Sequence, residues 1–262
     1  MQPSLKMTPH PLVWLTALFA LLRYLVVNTY TPHPILVGGK CLSRLKVRKM
    51  REAYLTCLYY AGTSLFLLFY LPSEPYYYDV TKYWQPSADV PQWMEKVVFV
   101  QLAYYLSATL FSLFPQQLGA VVRKDHYVML AHHVVTAALL GISIYGNQIG
   151  TGLVTLFFHD IADPFLEFGK VCNYRGYEVL KTVSFVCFTV TFAIFRLYML
   201  PRYIVLPCVL GTSCEALPFV PTLFVALQLM HCYWFGLVLK MAYRLLFTSS
   251  LGEDDRSDDD DD

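Results

Sequence analysis

Charge is scarce in this sequence of 262 residues, of which only 15% are Asp, Glu, Lys or Arg. Its seven cysteines form no C-x-x-C pair and have no spacing typical of a metal finger. No N-x-[S/T] glycosylation acceptor occurs, and no period of roughly 20–50 residues indicates a repeat array. Apolar residues are abundant instead: they make up 56% of the chain, against roughly 45–50% in soluble domains.

The apolar residues are grouped in long blocks rather than spread at amphipathic spacing. Runs of about 18 or more such residues are typical of transmembrane helices. We therefore predict an all-α integral membrane protein with about seven spans and no room for a separate soluble domain. The predicted spans are residues 11–30, 54–72, 97–114, 127–145, 149–168, 182–204 and 219–243.

The basic residues predict the orientation of the chain, because Lys and Arg in short loops favour the cytosolic side. They are dense in the connector from Lys40 to Arg51, and with seven spans most later basic residues fall on the same side. The first connector and the C-terminus are therefore predicted to be cytosolic, and the N-terminus lumenal. Span 1 is predicted to be an uncleaved signal anchor, since no small-residue cleavage site follows it; a cleaved signal peptide is the alternative.

Two smaller features concern the ends of the last spans. The tail from Glu253 carries eight acids and Arg256, so we predict that it is disordered. Ser250 and Ser257 precede acidic residues and are candidate phosphorylation sites, unless the tail is only solubilising. Cys208 and Cys214 share one predicted lumenal loop, where either a disulfide or two unpaired thiols fit the sequence.

Ionisable residues occur in two consecutive predicted spans, although each acid at a helix centre costs roughly 2.5–3.5 kcal/mol on insertion. A tight turn at Gly146 and Asn147 makes the two spans an antiparallel hairpin, so these residues lie at similar depths near the cytosolic side. Imidazole beside carboxylate is an arrangement typical of a general base or a nucleophile. The residues are His132 and His133 in span 4, and His159, Asp160, Asp163 and Glu167 in span 5, the last of which shares one helical face with His159 and Asp163.

Two other interpretations remain open for this cluster. The polar groups would stabilise helix packing by hydrogen bonds, or one of the paired histidines would bind zinc together with His159 and Asp163. We predict neither, and no metal. Membrane di-iron oxygenases are disfavoured because seven histidines are too few for their ligand boxes. Outside the cluster, Arg196 is expected to pair with a carboxylate or to snorkel, and His126 to lie at the membrane interface.

Residues 123–174 resemble the Lag1 motif of ceramide synthases, within the TLC-domain superfamily. The matching elements are R-K-D at 123–125, H-H at 132–133, H-D-x-x-D at 159–163, L-E-x-x-K at 166–170 and N-Y at 173–174. Weaker agreement includes L-Q-L-M-H-C-Y-W at 227–234 and extends the resemblance over roughly residues 45–262. Many animal members carry a homeobox-like domain between the first two spans; only a short basic connector is present here, so no nucleic-acid partner is predicted.

The resemblance implies a fold in which the last six spans form a helical barrel around a lipid cavity. It divides the chain into residues 1–53, a TLC domain at 54–247 and the tail at 248–262. It also implies acyl transfer from fatty acyl-CoA to the amino group of a sphingoid base in the endoplasmic reticulum, without a cofactor, in a chain that forms homo- or heterodimers. A non-catalytic lipid-binding or lipid-regulating TLC protein is the alternative.

The same resemblance assigns candidate roles to individual residues. The catalytic set would be His132, His133, His159, Asp160 and Asp163. Basic residues at the cytosolic surface would bind the phosphates of CoA, unless they only set the orientation; these are Arg123, Lys124, Lys170 and Arg175. The cavity would also be lined by Glu167, Arg196 and His231, the last of which has helix packing as its alternative role.

Overall fold

The computed structural model describes residues 9–29, 35–37, 40–74, 84, 91–211 and 218–248. The predicted phosphorylation sites Ser250 and Ser257 lie outside the described residues, as does Cys214. The phosphorylation sites therefore stay predictions, and for Cys208 and Cys214 both alternatives, a disulfide or two unpaired thiols, stay open.

The described chain is almost entirely helical, as predicted. One short antiparallel hairpin, in which Ile35 pairs with Leu42, precedes the second helix. The elements are α1 (Pro9–Asn28), β1 (Ile35–Val37), β2 (Lys40–Leu42), α2 (Arg44–Tyr70), α3 (Gln92–Leu113), a single helical turn (Pro115–Leu118), α4 (His126–Tyr145), α5 (Ile149–Asp160), α6 (Asp163–Arg175), α7 (Glu178–Val209) and α8 (Val220–Thr248).

The long helices surround α5. Going around the bundle, α2 packs on α6, α6 on α7, α7 on α8, α8 on α4 and α4 on α3, while α1 bridges α3 and α2. Every residue of α5 is buried, because this helix contacts α2, α3, α4 and α7. Its apolar residues form the centre of the main hydrophobic core. A helix that is apolar on all sides needs such an enclosed position.

Six of the described helices are long and apolar enough to cross a membrane: α1, α2, α3, α4, α7 and α8. The chain is thus a multi-pass membrane protein, but the predicted count of seven spans is not confirmed. The predicted fifth span, residues 149–168, is not one continuous helix. It is divided into α5 and α6, each shorter than the roughly 20 residues that a spanning helix needs.

Several helices, α2 most of all, begin earlier than the hydropathy of the sequence predicted. The basic residues of the first connector mostly lie in the opening turns of α2, which starts at Arg44 rather than near residue 54. Ser43 caps this helix by accepting a hydrogen bond from the Lys46 backbone N–H. Charged opening turns lower the local hydropathy without breaking a helix, so hydropathy locates the membrane-embedded part and misses its extension.

The turn between α4 and α5 forms as predicted. Asn147 has a φ of 56°, a left-handed conformation that asparagine tolerates better than most residues. The Gln148 backbone N–H donates to the Ser143 carbonyl at 2.8 Å and closes the turn. The start of α5 then packs tightly against α4, since a Cβ atom on Gly152 would lie 2.4 Å from Ser143 Oγ.

Candidate active site

A cavity of about 470 Å³ lies inside the bundle, and each of the helices α1 to α8 contributes residues to its lining. It includes residues from the end of the bundle where α2, α4 and α7 begin and α6 ends. We call this the basic end, because Lys46, Lys49, Arg123 and Lys170 line the cavity there. The C-terminus of α5 reaches the cavity from the interior with His159. The cavity therefore joins a cationic opening to buried imidazoles.

Asp160 fixes the ring of His159 at this position. Its Oδ1 lies 2.7 Å from His159 Nδ1 and accepts a hydrogen bond of 2.9 Å from the Tyr105 hydroxyl. The other oxygen, Oδ2, accepts from Gln101 Nε2 at 3.2 Å, and Gln101 in turn accepts from the Tyr59 hydroxyl at 2.5 Å. Asp160 does not line the cavity. It lies on the side of His159 away from the cavity, where it orients the imidazole and does not contact a ligand in the cavity.

Arg196 stabilises the break between α5 and α6. Pro164 has no N–H to donate to the Asp160 carbonyl, so the helix cannot continue its hydrogen bonding there. Arg196 Nε donates to the His159 carbonyl at 2.6 Å, and Nη2 donates to Asp163 Oδ2 at 2.7 Å. The predicted pairing of Arg196 with a carboxylate is thus present, and its partner is Asp163.

A π-helical stretch presents Arg196 to this break. Ala193–Met199 and Pro201–Val205 are π-helical within α7. Gln228 Nε2 of α8 donates to the Arg196 carbonyl at 3.2 Å and compensates the altered backbone pattern. π-Helical turns are rare and are frequent at functional sites. Here Arg196 belongs to the π-helical stretch of α7 and makes its hydrogen bonds to the break between α5 and α6.

The paired histidines differ in environment, as their positions on one helix require. His132 is buried and stacks on His159, with ring centroids 4.9 Å apart. His133 is half-buried, and its Nδ1 lies 3.2 Å from Ser112 Oγ of α3. Both rings line the cavity. The sequence predicted that the ionisable residues of spans 4 and 5 lie at similar depths, and the contact between His132 and His159 agrees with this prediction.

Trp234 of α8 closes the other side of His132. The two rings meet edge to face at 5.1 Å. Trp234 Nε1 donates to Asp125 Oδ2 at 3.1 Å, while Arg123 Nε lies 3.2 Å from Asp125 Oδ1. The loop before α4 is thereby tied to α8 beside the imidazoles. Trp234 thus forms a second wall of the cavity, and Asp125 holds it in place from behind.

His231 lies deeper than the other histidines. It is fully buried, and its ring centroid is 5.3 Å from that of His159 and 6.4 Å from that of His132. It is not among the residues that line this cavity, and its predicted role as a lining residue stays a prediction. His126, expected at the interface, does line it.

The predicted phosphate-binding residues are divided between the cavity and its surroundings. Arg123 and Lys170 line it, whereas Lys124 and Arg175 do not. The Arg175 guanidinium lies 5.4 Å from the centre of the Tyr54 ring. Glu167 lines the cavity. It connects α6 to α2 by accepting a hydrogen bond from Thr56 Oγ1 at 3.1 Å, and it also accepts one from Lys170 Nζ of its own helix at 2.5 Å.

Sequence reasoning missed several residues of this site. Tyr105 and Gln101 of α3 hold Asp160, Ser112 contacts His133, and Lys46 and Lys49 line the basic end. The first three are neither charged residues nor histidines, so a pattern built on those residue types in apolar spans did not select them. The two lysines were assigned to orientation only, although their position at the start of α2 also places them at the cavity.

Comparison with known proteins supports a family assignment. The family model of the TLC domain matches residues 49–240. Ceramide synthase LOH2 of Arabidopsis thaliana is 30% identical over 237 residues, which cover 84% of this chain and 77% of that protein. ASC1-like protein 1 of Oryza sativa is 28% identical over 238 residues, covering 82% of this chain and 75% of that protein.

A human relative matches over a smaller share of its own length. Human ceramide synthase 5 is 30% identical over 216 residues, covering 79% of this chain but 52% of that protein. The chain thus spans about half the length of the human relative. The short segment between α1 and α2 fits a form without the homeobox-like domain. The chain belongs to the TLC-domain family of membrane proteins, in its ceramide synthase branch.

Proposed function

We propose that this protein is an acyl-CoA-dependent sphingosine N-acyltransferase of the endoplasmic reticulum membrane. The observation that carries the proposal is a carboxylate-held imidazole, His159 with Asp160, beside His132 at a cavity within a membrane-embedded bundle. An apolar bundle suits two lipid chains, and the basic end suits an anionic donor. The reaction uses fatty acyl-CoA as co-substrate and calls for no cofactor.

The hydrogen bonds suggest how the imidazoles act. If His159 Nδ1 carries the proton that Asp160 accepts, its Nε2 has a lone pair, and this atom has no partner among the described residues. An imidazole held in this way either removes the proton of the amine or attacks the thioester to form an acyl-imidazole. In both routes the amine nitrogen forms the amide bond, the thioester C–S bond breaks, and CoA leaves as the thiol. His132 stacks on His159 and is the second candidate for either role.

Lys46 and Lys49 join Arg123 and Lys170 in the proposed site for the CoA phosphates, because all four line the basic end. Phosphate binding of this kind affects the Michaelis constant of acyl-CoA more than turnover. We expect Lys46→Gln with Lys49→Gln to raise the KM for acyl-CoA about tenfold with little change in kcat, since hydrogen bonds to charged groups contribute roughly 1.5–3 kcal/mol. The matched control is Lys124→Gln with Arg175→Gln, two cations that do not line the cavity. An equal effect of both double variants would contradict the assignment.

The activity itself is tested with purified protein, a long-chain base and acyl-CoA, and the amide product is measured by mass spectrometry. Product is expected from the parent chain and from His10→Ala, an exposed histidine of α1. It should be lost or strongly reduced in His132→Ala, His133→Ala and Asp163→Asn. Incubation with acyl-CoA alone, followed by intact-mass measurement, distinguishes the routes, since only an acyl-imidazole adds the mass of the acyl group.

The catalytic proposal would be contradicted if no amide forms, or if the three substitutions leave amide formation unchanged. Binding of the long-chain base without any product would favour the alternative, a non-catalytic TLC protein that binds or regulates lipids. The same purified sample gives the oligomeric state by mass measurement in detergent, which tests the homodimer; the heterodimer with a related synthase needs both chains in one preparation.

A further inference from the structure

Three buried imidazoles converge behind the cavity. His132, His159 and His231 each expose 5% or less of their surface. Each offers one ring nitrogen within 4.8 Å of the nitrogens of the other two. The rings come from α4, α5 and α8, so three separate helices bring them together. Clusters of this kind are unusual in an apolar bundle, where each polar group needs a partner.

Most nitrogens of this cluster lack a partner. Within the described residues, no hydrogen bond reaches His132 Nδ1, His159 Nε2 or either ring nitrogen of His231. A buried polar atom without a hydrogen bond costs roughly 1–3 kcal/mol. The acyl-transfer proposal accounts for His159 and His132, but it gives no task to His231, which does not line the cavity.

The neighbouring carboxylates are already engaged. Asp163 accepts from Arg196, and Asp160 accepts from Tyr105 and Gln101. A zinc site using His159 and Asp163, which the sequence left open, would therefore have to break the Arg196 ion pair. The three imidazoles present no such obstacle, because each has at least one ring nitrogen without a hydrogen-bond partner among the described residues.

We propose that His132, His159 and His231 form a binding site for a divalent transition-metal ion of the Zn²⁺ class. Imidazole nitrogens bind Zn²⁺ at roughly 2.0–2.1 Å, so two of them on one tetrahedral ion lie about 3.3 Å apart. From separations of up to 4.8 Å, rotation of the rings by their side-chain torsions closes the remaining distance. Three protein ligands leave a fourth position, and His132 and His159 place it toward the cavity.

Asp160 strengthens the case for a metal ligand. A histidine that binds a metal usually gives its other ring N–H to a carboxylate or carbonyl, which fixes the tautomer. His159 has this arrangement through Nδ1 and Asp160. Its free Nε2 is then the coordinating atom. The cavity supplies the route by which an ion reaches the site from the basic end.

The consequence for activity rests on the proposed acyl transfer. An imidazole nitrogen bound to a metal has no lone pair for a proton or an acyl group. Metal binding and acyl transfer are then mutually exclusive at His159 and His132. Zn²⁺ therefore acts as an inhibitor whose effect is reversed by a chelator, rather than as a cofactor.

Direct binding tests the site without any assay of activity. The full-length protein is purified in detergent, treated with a chelator and dialysed, and Co²⁺ is added as a spectroscopic probe. One Co²⁺ per chain with visible absorption of a tetrahedral complex is expected, displaced by Zn²⁺. His231→Gln should weaken binding about 100-fold or more, since even the loss of an outer partner of a metal site costs roughly 10–100-fold. His133→Gln is the matched control and should keep the bound metal.

His132→Gln provides a second ligand variant if His231→Gln does not fold. No Co²⁺ complex in the parent chain, or equal binding by the ligand variants and His133→Gln, would overturn the metal site. Amide formation that rises with added Zn²⁺ would overturn the inhibition. These failures are distinct from that of the proposed function, in which no amide forms with or without chelator.

Discussion

The two aspartates of the H-D-x-x-D sequence are stabilised by different kinds of partner. Among the described residues, the Asp160 carboxylate accepts only from neutral donors besides His159, namely the Tyr105 hydroxyl and the Gln101 amide. Asp163 has the guanidinium of Arg196. Because neither Asp160 nor Tyr105 lines the cavity, we expect a change there to act through the ring of His159 and not through substrate binding.

Tyr105→Phe tests this indirect role. The substitution removes one hydrogen bond to a carboxylate, which contributes roughly 1.5–3 kcal/mol, and His159 then loses part of its orientation. We expect kcat of the proposed acyl transfer to fall roughly 10- to 100-fold, with the KM for acyl-CoA unchanged. Steady-state kinetics of Tyr105→Phe beside Tyr127→Phe, an exposed tyrosine of α4, check this. A rise in KM with unchanged kcat would show that Tyr105 acts on binding instead.

The Arg196–Asp163 pair has a consequence for stability that can be measured without activity. Removing one partner of a buried ion pair leaves an uncompensated charge and costs roughly 3–5 kcal/mol, whereas removing both charges costs much less. Arg196→Gln should therefore lower the unfolding temperature in detergent more than Arg196→Gln combined with Asp163→Asn does. If the double variant is no more stable than Arg196→Gln, the contact between Arg196 and the His159 carbonyl dominates the effect instead.

At the scale of elements, the position of α5 depends on close contact with α4. A Cβ atom on Gly152 would lie 2.8 Å from Ser143 Cβ as well as close to its hydroxyl. Gly141 of α4 provides a contrast, because nothing lies within 4 Å of a Cβ built there. Both glycines are helical, so replacement by alanine gives each about the same gain in helix propensity.

We expect Gly152→Ala to lower the unfolding temperature and Gly141→Ala to leave it unchanged or raise it. The gain in propensity is about 1 kcal/mol at each position, whereas overpacking a tight contact costs roughly 1–3 kcal/mol. Thermal unfolding of both variants in the same detergent gives the comparison. Ser143→Gly, combined with Gly152→Ala, should recover part of the loss. If both alanine variants have a lowered unfolding temperature, the loss of stability comes from the backbone and not from the contact with Ser143.

The division of the predicted fifth span shows where hydropathy loses information. Residues 149–168 are mostly apolar despite their four ionisable side chains, and the pattern predicts one helix. Pro164 is the residue that signals the break, since it removes the N–H that Asp160 needs. The π-helical stretch from Ala193 has no such signal, because its residues suit an α-helix equally well. It exists through tertiary contacts of Arg196 and Gln228, which no local pattern contains.

For the whole molecule, the residues that the sequence identified best are those that are costly in a membrane. His132, His159 and Asp163 stood out because ionisable groups are rare in apolar spans, and the structure brings all three to one cavity. Tyr105 did not stand out, since buried tyrosines are ordinary and its role appears only once α3 and α5 are packed together. The ionisable residues of the site can thus be identified from the sequence, whereas the residues that hold them in place become visible only in the fold.

The arrangement of the bundle also predicts its orientation in the membrane. Connectors with many Lys and Arg residues favour the cytosol, and the basic end contains most of them among the described residues. Tyr177 lies at that end, because its neighbours Tyr174 and Glu178 line the cavity with Arg123. Tyr145 is 84% exposed at the opposite end of α4.

Cysteine labelling in sealed microsomes, whose outer face is cytosolic, tests this orientation. We expect a membrane-impermeant maleimide to label Tyr177→Cys in intact vesicles and Tyr145→Cys only after the membrane is permeabilised. The unsubstituted chain measured in parallel corrects for native thiols such as Cys232, which is exposed. The reverse pattern would place the basic end in the lumen. A CoA donor supplied from the cytosol would then have no access to Lys46 and Lys49, so the orientation of the bundle also decides whether the proposed donor site can be used.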